Sequence, residues 1–216
     1  MKMFCLIMFV ILICAAGISS DAEMSYAYST VAKTTEDVVL LTMCTDECKK
    51  ECNNMLMSFG HAFFYAENIS DSDVYIYNYK LSPRESVTFS WWAVDRHMGI
   101  WFNIESNYIT LANRYSDIAC IGTYLNNDEI AKLNTFMENN DRYTPISNCS
   151  KQVMTCWNVL AERGEAIMTS TIATPSILKR EIMKFKSAKK RTIEHNENIC
   201  YYNGTGFTSY KMEVGS

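Results

Sequence analysis

The sequence contains few histidines, no excess of positive charge and few long apolar runs, and each of these features excludes some classes of function. Only three histidines occur in 216 residues, so few side chains can act as a base near neutral pH. The net charge of −4 gives no basis for a nucleic-acid partner. Beyond residue 20 no apolar run is long enough to span a membrane, and no internal repeat or low-complexity segment stands out.

The one long apolar run lies at the N-terminus. Lys2 precedes an apolar stretch from Phe4 to Ala16, and small residues follow as far as Ala22. This order is typical of a signal peptide, and the apolar stretch is shorter than the roughly 20 residues that cross a bilayer. We therefore predict a signal peptide at residues 1–20, cleaved between Gly17 and Ala22. The mature protein is expected to be secreted and extracellular, with no integral membrane span.

Seven cysteines remain after the predicted signal peptide, which holds two of the nine. In an oxidising compartment an odd number leaves one thiol unpaired or paired between chains. If Cys149 is the free thiol, six residues are disulfide candidates: Cys44, Cys48, Cys52, Cys120, Cys156 and Cys200. A disulfide from the first three to Cys200 would tether the C-terminal tail.

The spacing of Cys44, Cys48 and Cys52 permits a second interpretation. Residues four apart share one face of a helix, and a zinc ion could bind there with His61 as fourth ligand. Because structural zinc ligands usually come as tighter pairs, we expect disulfides here and neither a metal nor another cofactor. Sequons make Asn68 and Asn203 candidate glycosylation sites, whereas a glycan on Asn148 would sit at a predicted helix start.

Hydrophobic patterning predicts one α+β domain, with an antiparallel sheet packed against helices. Strands are expected at 37–43, 61–67, 74–81, 86–92 and 117–125, and helices at 45–57, 127–140, 149–163 and from 174 onward. The strands at 61–67 and 74–81 should form a hairpin across a turn. Residues 21–36 are expected to be irregular, and the pattern between 100 and 109 leaves the element type open.

Cys149 stands at the first turn of a predicted helix. The free amide groups and the dipole of a helix N-terminus favour a thiolate there, which lowers the pKa of the thiol. A cysteine nucleophile also needs a base within hydrogen-bond reach. His61 is the best placed, because it begins a strand whose end a helix N-terminus could meet. The alternative is that Cys149 belongs to a disulfide and His61 is a satisfied strand-end residue.

Several strings, in order, resemble the circularly permuted papain-like clan, which includes lecithin:retinol acyltransferase-like proteins and bacterial secreted amidase-like domains. Gly60-His61-Ala62-Phe63-Phe64 is similar to the first motif of the clan, and Asn148-Cys149-Ser150 with Trp157-Asn158 to the second. Segments between and after them resemble bacterial members: Tyr79 to Pro83, His97 to Asn103, and Thr174-Pro175-Ser176 with Leu178. The resemblance implies a permuted papain-like domain at 37–190, followed by a C-terminal tail at 191–216.

The resemblance also implies a reaction. Cys149 would attack an amide, ester or thioester carbonyl, and His61 would act as base and then as acid. The backbone N–H of Cys149 would help to hold the oxyanion. The clan adds a third polar residue that orients the histidine, and hairpin pairing favours Asn78, Tyr79 or Lys80, with His97 as a further candidate.

Two functions therefore stay open at this point. The first is a secreted thiol hydrolase or acyltransferase that acts on a small-molecule, peptide or lipid-acyl substrate. The second is an inactive, disulfide-stabilised binding or host-interaction protein on the same fold, favoured by the lack of an obvious third residue. A zinc-stapled module around Cys44, Cys48 and Cys52 is a third and weaker reading.

Overall fold

The structure is a computed structural model that describes residues 23–28, 33–47, 60–112, 118–160, 166–167, 173–185 and 188–211. The predicted signal peptide, Cys48 and Cys52 lie outside these residues. The strands are β1 (Glu23–Tyr28), β2 (Val39–Asp46), β3 (His61–Asn68), β4 (Val74–Ile76), β5 (Tyr79–Leu81), β6 (Ser86–Val94), β7 (His97–Phe102), β8 (Ile118–Leu125), β9 (Ala188–Thr192), β10 (Cys200–Tyr202) and β11 (Phe207–Ser209). The helices are α1 (Ile104–Ala112), α2 (Asn127–Asn140), α3 (Cys149–Val159) and α4 (Pro175–Ile182).

Nine strands form one sheet in the order β11-β10-β7-β6-β3-β2-β8-β1-β9. All neighbouring pairs are antiparallel except β1 and β8. β3 occupies the middle of the sheet, and seven of its eight residues are buried. The predicted α+β class with a large, mainly antiparallel sheet is therefore confirmed.

Successive side chains of a strand point to opposite faces of the sheet. On one face Ala62, Phe64 and Trp91 join the main hydrophobic core with residues of α2, α3 and α4. On the other face Phe63 and Trp92 pack with smaller clusters that include residues of α1 and of the C-terminal segment. The start of β3 thus lies where helices on both faces can reach it.

Helix starts follow their capping residues closely. The Asn126 side chain and Glu129 form a reciprocal capping box at α2, and the Thr174 hydroxyl accepts from the Ile177 N–H at α4. Pro175 stands at the first turn of α4, where a missing N–H costs nothing. The helices predicted from 127, 149 and 174 are confirmed, although α3 ends at Val159, before the predicted residue 163.

Several expectations about elements were wrong. Residues 74–81 do not form one strand beside β3; they fold into the small hairpin β4–β5, because Tyr77 and Asn78 both take positive φ (46° and 66°), a pairing typical of two-residue hairpin turns. The neighbours of β3 are β2 and β6 instead. Thr45 and Asp46 continue β2, so Cys44 lies on a strand and no helix begins at Thr45. The rest of the helix predicted at 45–57, from residue 48 onward, lies outside the described residues.

The two ends of the chain are more regular than predicted. The segment 21–36, expected to be irregular, contains β1, which pairs with β8 and β9. The tail from 191 contributes part of β9, which lies beside β1 at one edge of the sheet. It also contributes all of β10 and β11, which extend the opposite edge beyond β7. Short strands that gain hydrogen bonds only at a sheet edge carry little periodic signal of their own.

Candidate active site

Cys149 is the first residue of α3, and its position is fixed by Asn148. The Asn148 side chain accepts from the Lys151 N–H at 3.0 Å and donates to the Ala173 carbonyl at 3.1 Å. The first sets the start of the helix, and the second ties it to the residue before the N-cap of α4. Cys149 is 8% exposed, at the positive end of the helix dipole.

His61 is the first residue of β3 and lies against Cys149. Gly60 precedes it with a φ of 74°, a conformation that side chains rarely adopt. The imidazole hydrogen-bonds the Cys149 thiol, and the backbone N–H of Ala62 also points at the sulfur. The two residues that the sequence predicted as nucleophile and base are therefore brought together.

The third member of the site is Glu105 on α1. Its Oε1 lies 2.8 Å from His61 Nε2, and the carboxylate is fully buried. Because Nε2 is occupied by the carboxylate, Nδ1 is the ring nitrogen left for the thiol. The arrangement is a cysteine, a histidine and an orienting carboxylate in series, which is the general form of a nucleophilic triad.

Two side chains of β6 hold the Glu105 carboxylate in place. The Ser90 hydroxyl donates to Oε1 and also lies 3.1 Å from His61 Nε2, and the Trp92 indole N–H donates to the same oxygen at 2.9 Å. Ser90 and Trp92 are two apart on the strand, so both face the same side as His61. The Trp92 ring also lies over the imidazole, with centroids 4.0 Å apart.

Electrostatics in the site favour an ion pair between Cys149 and His61. Burial by itself lowers the pKa of His61, but the facing Cys149 and then Glu105 outweigh it and raise the pKa to about 9. Burial likewise raises the pKa of Cys149, yet the imidazolium, the Ala62 N–H and Ser150 bring it below its ordinary value. For Glu105, hydrogen bonds from His61, Ser90 and Trp92 overcome burial and lower the pKa of the carboxyl. Together these shifts favour a thiolate on Cys149, an imidazolium on His61 and a carboxylate on Glu105.

A cleft of about 550 Å³ opens onto Cys149 and His61. Its walls come from the start of β3, from the end of β6, from the loop before α3 and from the start of α4. They are mainly apolar and include Trp91, Trp92, Tyr143, Pro145 and Pro175. A substrate carbonyl can thus approach the sulfur from one side, while Glu105 stays buried behind the imidazole.

The other residues predicted to support His61 lie elsewhere. His97 pairs with Asp141 at 3.0 Å and stacks on Tyr201. Asn78 is an exposed residue of the β4–β5 turn, and its exposed neighbour Lys80 pairs with Asp73. Tyr79 stacks on Phe102 and accepts from Asn103. For Asn78, Tyr79 and Lys80 the expectation rested on a pairing of 74–81 with β3, which the sheet does not contain.

Sequence reasoning missed Glu105, Ser90 and Trp92. The signal for α1 is the apolar spacing of Ile104, Tyr108 and Leu111, which fits one helical face. Nothing in that spacing indicates that the helix crosses back over β6 and delivers a carboxylate to the start of β3. The predicted strand at 86–92 includes both Ser90 and Trp92, but its pairing with β3 was not predicted.

The structure bears on five of the seven cysteines for which disulfides were considered. Among the described residues no disulfide joins Cys44, Cys120, Cys149, Cys156 or Cys200. A link between Cys200 and Cys44 does not fit, because β7, β6 and β3 lie between β10, which carries Cys200, and β2. A link from Cys200 to Cys48 or Cys52 involves residues outside the described ranges and stays a prediction. Within the described ranges no cluster of metal-ligating side chains is present, and Cys48 and Cys52 lie outside them.

The two glycosylation candidates differ sharply. Asn68 is 2% exposed, and its amide nitrogen donates to the carbonyls of Ser72 and Leu81, each at 2.8 Å. A glycan on that nitrogen does not fit the folded protein. Asn203 is exposed between β10 and β11, and its amide nitrogen donates to the Thr208 hydroxyl at 3.0 Å at the surface, so its glycosylation stays a prediction.

Comparisons with known proteins identify no relative of this chain. Scans of protein-family models, of curated proteins and of solved structures each found no match. Among the described residues, no helix is both long and apolar enough to cross a membrane.

Proposed function

We propose that the protein is a thiol-dependent hydrolase or acyltransferase acting on an amide, ester or thioester bond. The observation that carries the proposal is the series Cys149–His61–Glu105 at the base of an open cleft. The proposal includes a permuted papain-like architecture. Two features support it: the histidine strand precedes the cysteine helix in the chain, and that helix packs on the same strand.

The reaction begins with the Cys149 thiolate, which attacks the substrate carbonyl carbon. The oxyanion that forms is stabilised by the backbone N–H of Cys149 and the positive end of α3. The His61 imidazolium then gives its proton to the leaving amine, alcohol or thiol, and an acyl-cysteine is left.

Deacylation reverses the role of His61. The neutral imidazole takes a proton from water, for a hydrolase, or from an acceptor hydroxyl or amine, for a transferase. Glu105 makes no contact with substrate; it fixes the imidazole ring and stabilises the charge on it. The exposure of the cleft to solvent admits either acceptor.

The pKa shifts give the reaction a pH window. As pH falls through the lowered pKa of Cys149, the thiolate is protonated and attack stops. As pH rises through about 9, His61 loses the proton that the leaving group needs. Activity should therefore rise on the acid side and fall on the alkaline side, with a maximum between the two pKa values.

Trapping of the acyl-cysteine tests the proposal. Purified protein is mixed with p-nitrophenyl acetate, quenched in acid and examined by intact mass and peptide mapping. We expect one acetyl group on Cys149 in the wild type and none on that residue in His61→Gln, which removes the base and is checked for wild-type folding by circular dichroism. Absence of the adduct in wild type, together with no hydrolysis of esters or amides, would instead support the inactive binding protein.

A further inference from the structure

Two cysteines outside the candidate active site lie opposite each other on neighbouring strands. Cys44 on β2 and Cys120 on β8 are direct partners in the strand register, and their Sγ atoms lie 2.9 Å apart. The side chains are 0% and 1% exposed. They belong to a small cluster with Phe63, Tyr65 and Ile118, on the face of the sheet opposite the main core. The folded chain therefore holds two thiols in contact.

The backbone at this position already suits a covalent bond. Directly opposed residues of antiparallel strands have Cα atoms about 4.5–5.5 Å apart, which lies inside the range of roughly 4.4–6.8 Å that disulfides require. Both side chains also point to the same face. We propose that Cys44 and Cys120 form a cross-strand disulfide when the protein folds in the presence of a disulfide oxidant.

The bond forms by thiol–disulfide exchange with a small disulfide such as oxidised glutathione, or with a disulfide-bearing oxidoreductase. The thiolate of one cysteine attacks the oxidant, forms a mixed disulfide and releases one thiol. The second thiolate then attacks the protein sulfur of that mixed disulfide and releases the second thiol. The two cysteines lose two protons and two electrons in total, and the oxidant disulfide is reduced to two thiols.

Burial decides when this exchange takes place. The pKa of Cys44 is well above its ordinary value because the thiol is buried and faces Cys120. Few thiolates exist at this position in the folded protein, and reagents in solution do not reach it. The disulfide therefore forms before β2 and β8 are fully covered, and afterwards the same burial protects it from reductants.

The remaining described cysteines are poorly placed to compete. Cys156 lies in the main core on α3, Cys200 lies on β10 beyond β7, and Cys149 contacts His61. The proposed pairing thus leaves Cys149 free for the proposed function. The disulfide does not depend on that function, since neither Cys44 nor Cys120 lines the cleft.

The pairing also bears on the position of His61. Cys44 is opposite Phe63 on β3, and two residues further along β2 Asp46 is opposite His61. A bond from Cys44 to Cys120 ties β2 to β8 two residues before the position at which β2 is opposite His61. It spans 76 positions of sequence, and closure of a long loop removes much entropy from the unfolded chain.

The experiment compares wild-type protein refolded with a glutathione redox mixture and with reduced glutathione alone. Each sample is then denatured, alkylated with iodoacetamide and digested for peptide mapping. The oxidised sample should contain a cross-linked peptide pair joining Cys44 to Cys120, with Cys149, Cys156 and Cys200 alkylated. After refolding, dithiothreitol should leave the bond intact without denaturant and remove it in urea. The oxidised form should also melt about 5–15 °C above the reduced form.

The readouts separate the possible failures. Alkylation of both Cys44 and Cys120 in the oxidised sample would overturn the pairing, and so would a cross-link from either of them to Cys48 or Cys52. Cys200→Ala is the matched control and should leave the cross-link unchanged, whereas Cys120→Ala should abolish it. Failure of acetylation at Cys149 with the cross-link present would refute the proposed function alone.

Discussion

Glu105 Oε1 lies 2.8 Å from His61 Nε2, although the two residues are 44 positions apart. The carboxylate is fully buried and holds one oxygen against an imidazole, a hydroxyl and an indole N–H. Burial of a carboxylate is costly unless the group is paired and hydrogen-bonded. In Glu105 Oε1 has these partners, whereas Oε2 is buried without a hydrogen-bond partner among the described residues. We interpret Glu105 as the residue that orients His61 toward Cys149 and adds to the stabilisation of the imidazolium.

Replacement of Glu105 by glutamine tests that interpretation. The amide keeps the shape of the side chain but loses the negative charge, so the His61 imidazolium loses one of its stabilising partners. We expect the pKa of Cys149 to rise and its alkylation rate at pH 7 to fall by at least about tenfold, which corresponds to one pKa unit. The rate is measured with iodoacetamide and read by peptide mass.

Glu138→Gln is the matched control, because Glu138 is an exposed carboxylate of α2. It should leave the alkylation rate of Cys149 unchanged. If Glu105→Gln keeps the wild-type rate and pH profile while remaining folded, Glu105 is a structural carboxylate and the triad has only two members.

Trp92 is predicted to act through both of its contacts. Trp92→Phe keeps a ring over the imidazole but removes the N–H that holds Glu105, and Trp92→Leu removes both. We expect a decrease of a few fold in Cys149 reactivity for the first and about tenfold for the second, since aromatic faces stabilise cations. Trp101→Phe serves as control, because its indole N–H donates to the His97 carbonyl instead. Equal rates in all three variants would contradict this role.

The imidazole of His61 should titrate well above the ordinary range. Burial alone would lower its pKa, so the value of about 9 depends on Cys149 first and then on Glu105. In Cys149→Ala the negative partner is lost, and the midpoint should fall by more than about one unit. Long-range proton–nitrogen NMR spectra across pH 5 to 10 follow the ring nitrogens directly. A wild-type midpoint near 6.5, or one that Cys149→Ala leaves unmoved, would disprove the ion pair.

Gly99 is predicted to be essential for the shape of the loop before α3. A Cβ at this position would clash with Asp141 Oδ1 and lie 2.6 Å from His97 Nε2. Asp141 also accepts from the Ile100 N–H, and two residues later Tyr143 begins the wall of the cleft. Gly99→Ala should lower the free energy of unfolding by about 1–3 kcal/mol, as measured in urea.

Gly206→Ala provides the comparison, because a Cβ there has no neighbour within 4 Å. Its unfolding midpoint should match that of the wild type. Unchanged stability in Gly99→Ala would mean that the pair His97–Asp141 moves apart at little cost and does not hold the loop.

Elements that are stabilised by local interactions could be predicted from the sequence, whereas elements that depend on distant partners could not. α2, α3 and α4 have local caps in Asn126, Asn148 and Thr174, so their starts were predictable from neighbouring residues. The central strands carry long buried runs and were also found. By contrast, β10 and β11 have only three residues each and gain their order from the sheet edge.

The same distinction applies to the site. Cys149 and His61 each lie at the end of an element with a clear local signal, and the pairing of the two was suggested by a resemblance of motifs. Glu105 is reached only by knowing that β3 pairs with β6 and that α1 packs on β6, which is tertiary information. The assumed pairing of β3 with residues 74–81 failed at Tyr77 and Asn78, whose positive φ angles turn the chain back on itself.

The pH dependence of Cys149 alkylation in the native protein tests the central claim most directly. Burial raises the pKa of the Cys156 thiol, and it raises the pKa of Cys200 to about 11, so these cysteines should react slowly. We predict that Cys149 is modified first, with a midpoint clearly below 9, and that His61→Gln moves this midpoint above 9. A Cys149 that stays unmodified at neutral pH, or that titrates at 9 or higher in the wild type, would contradict the account.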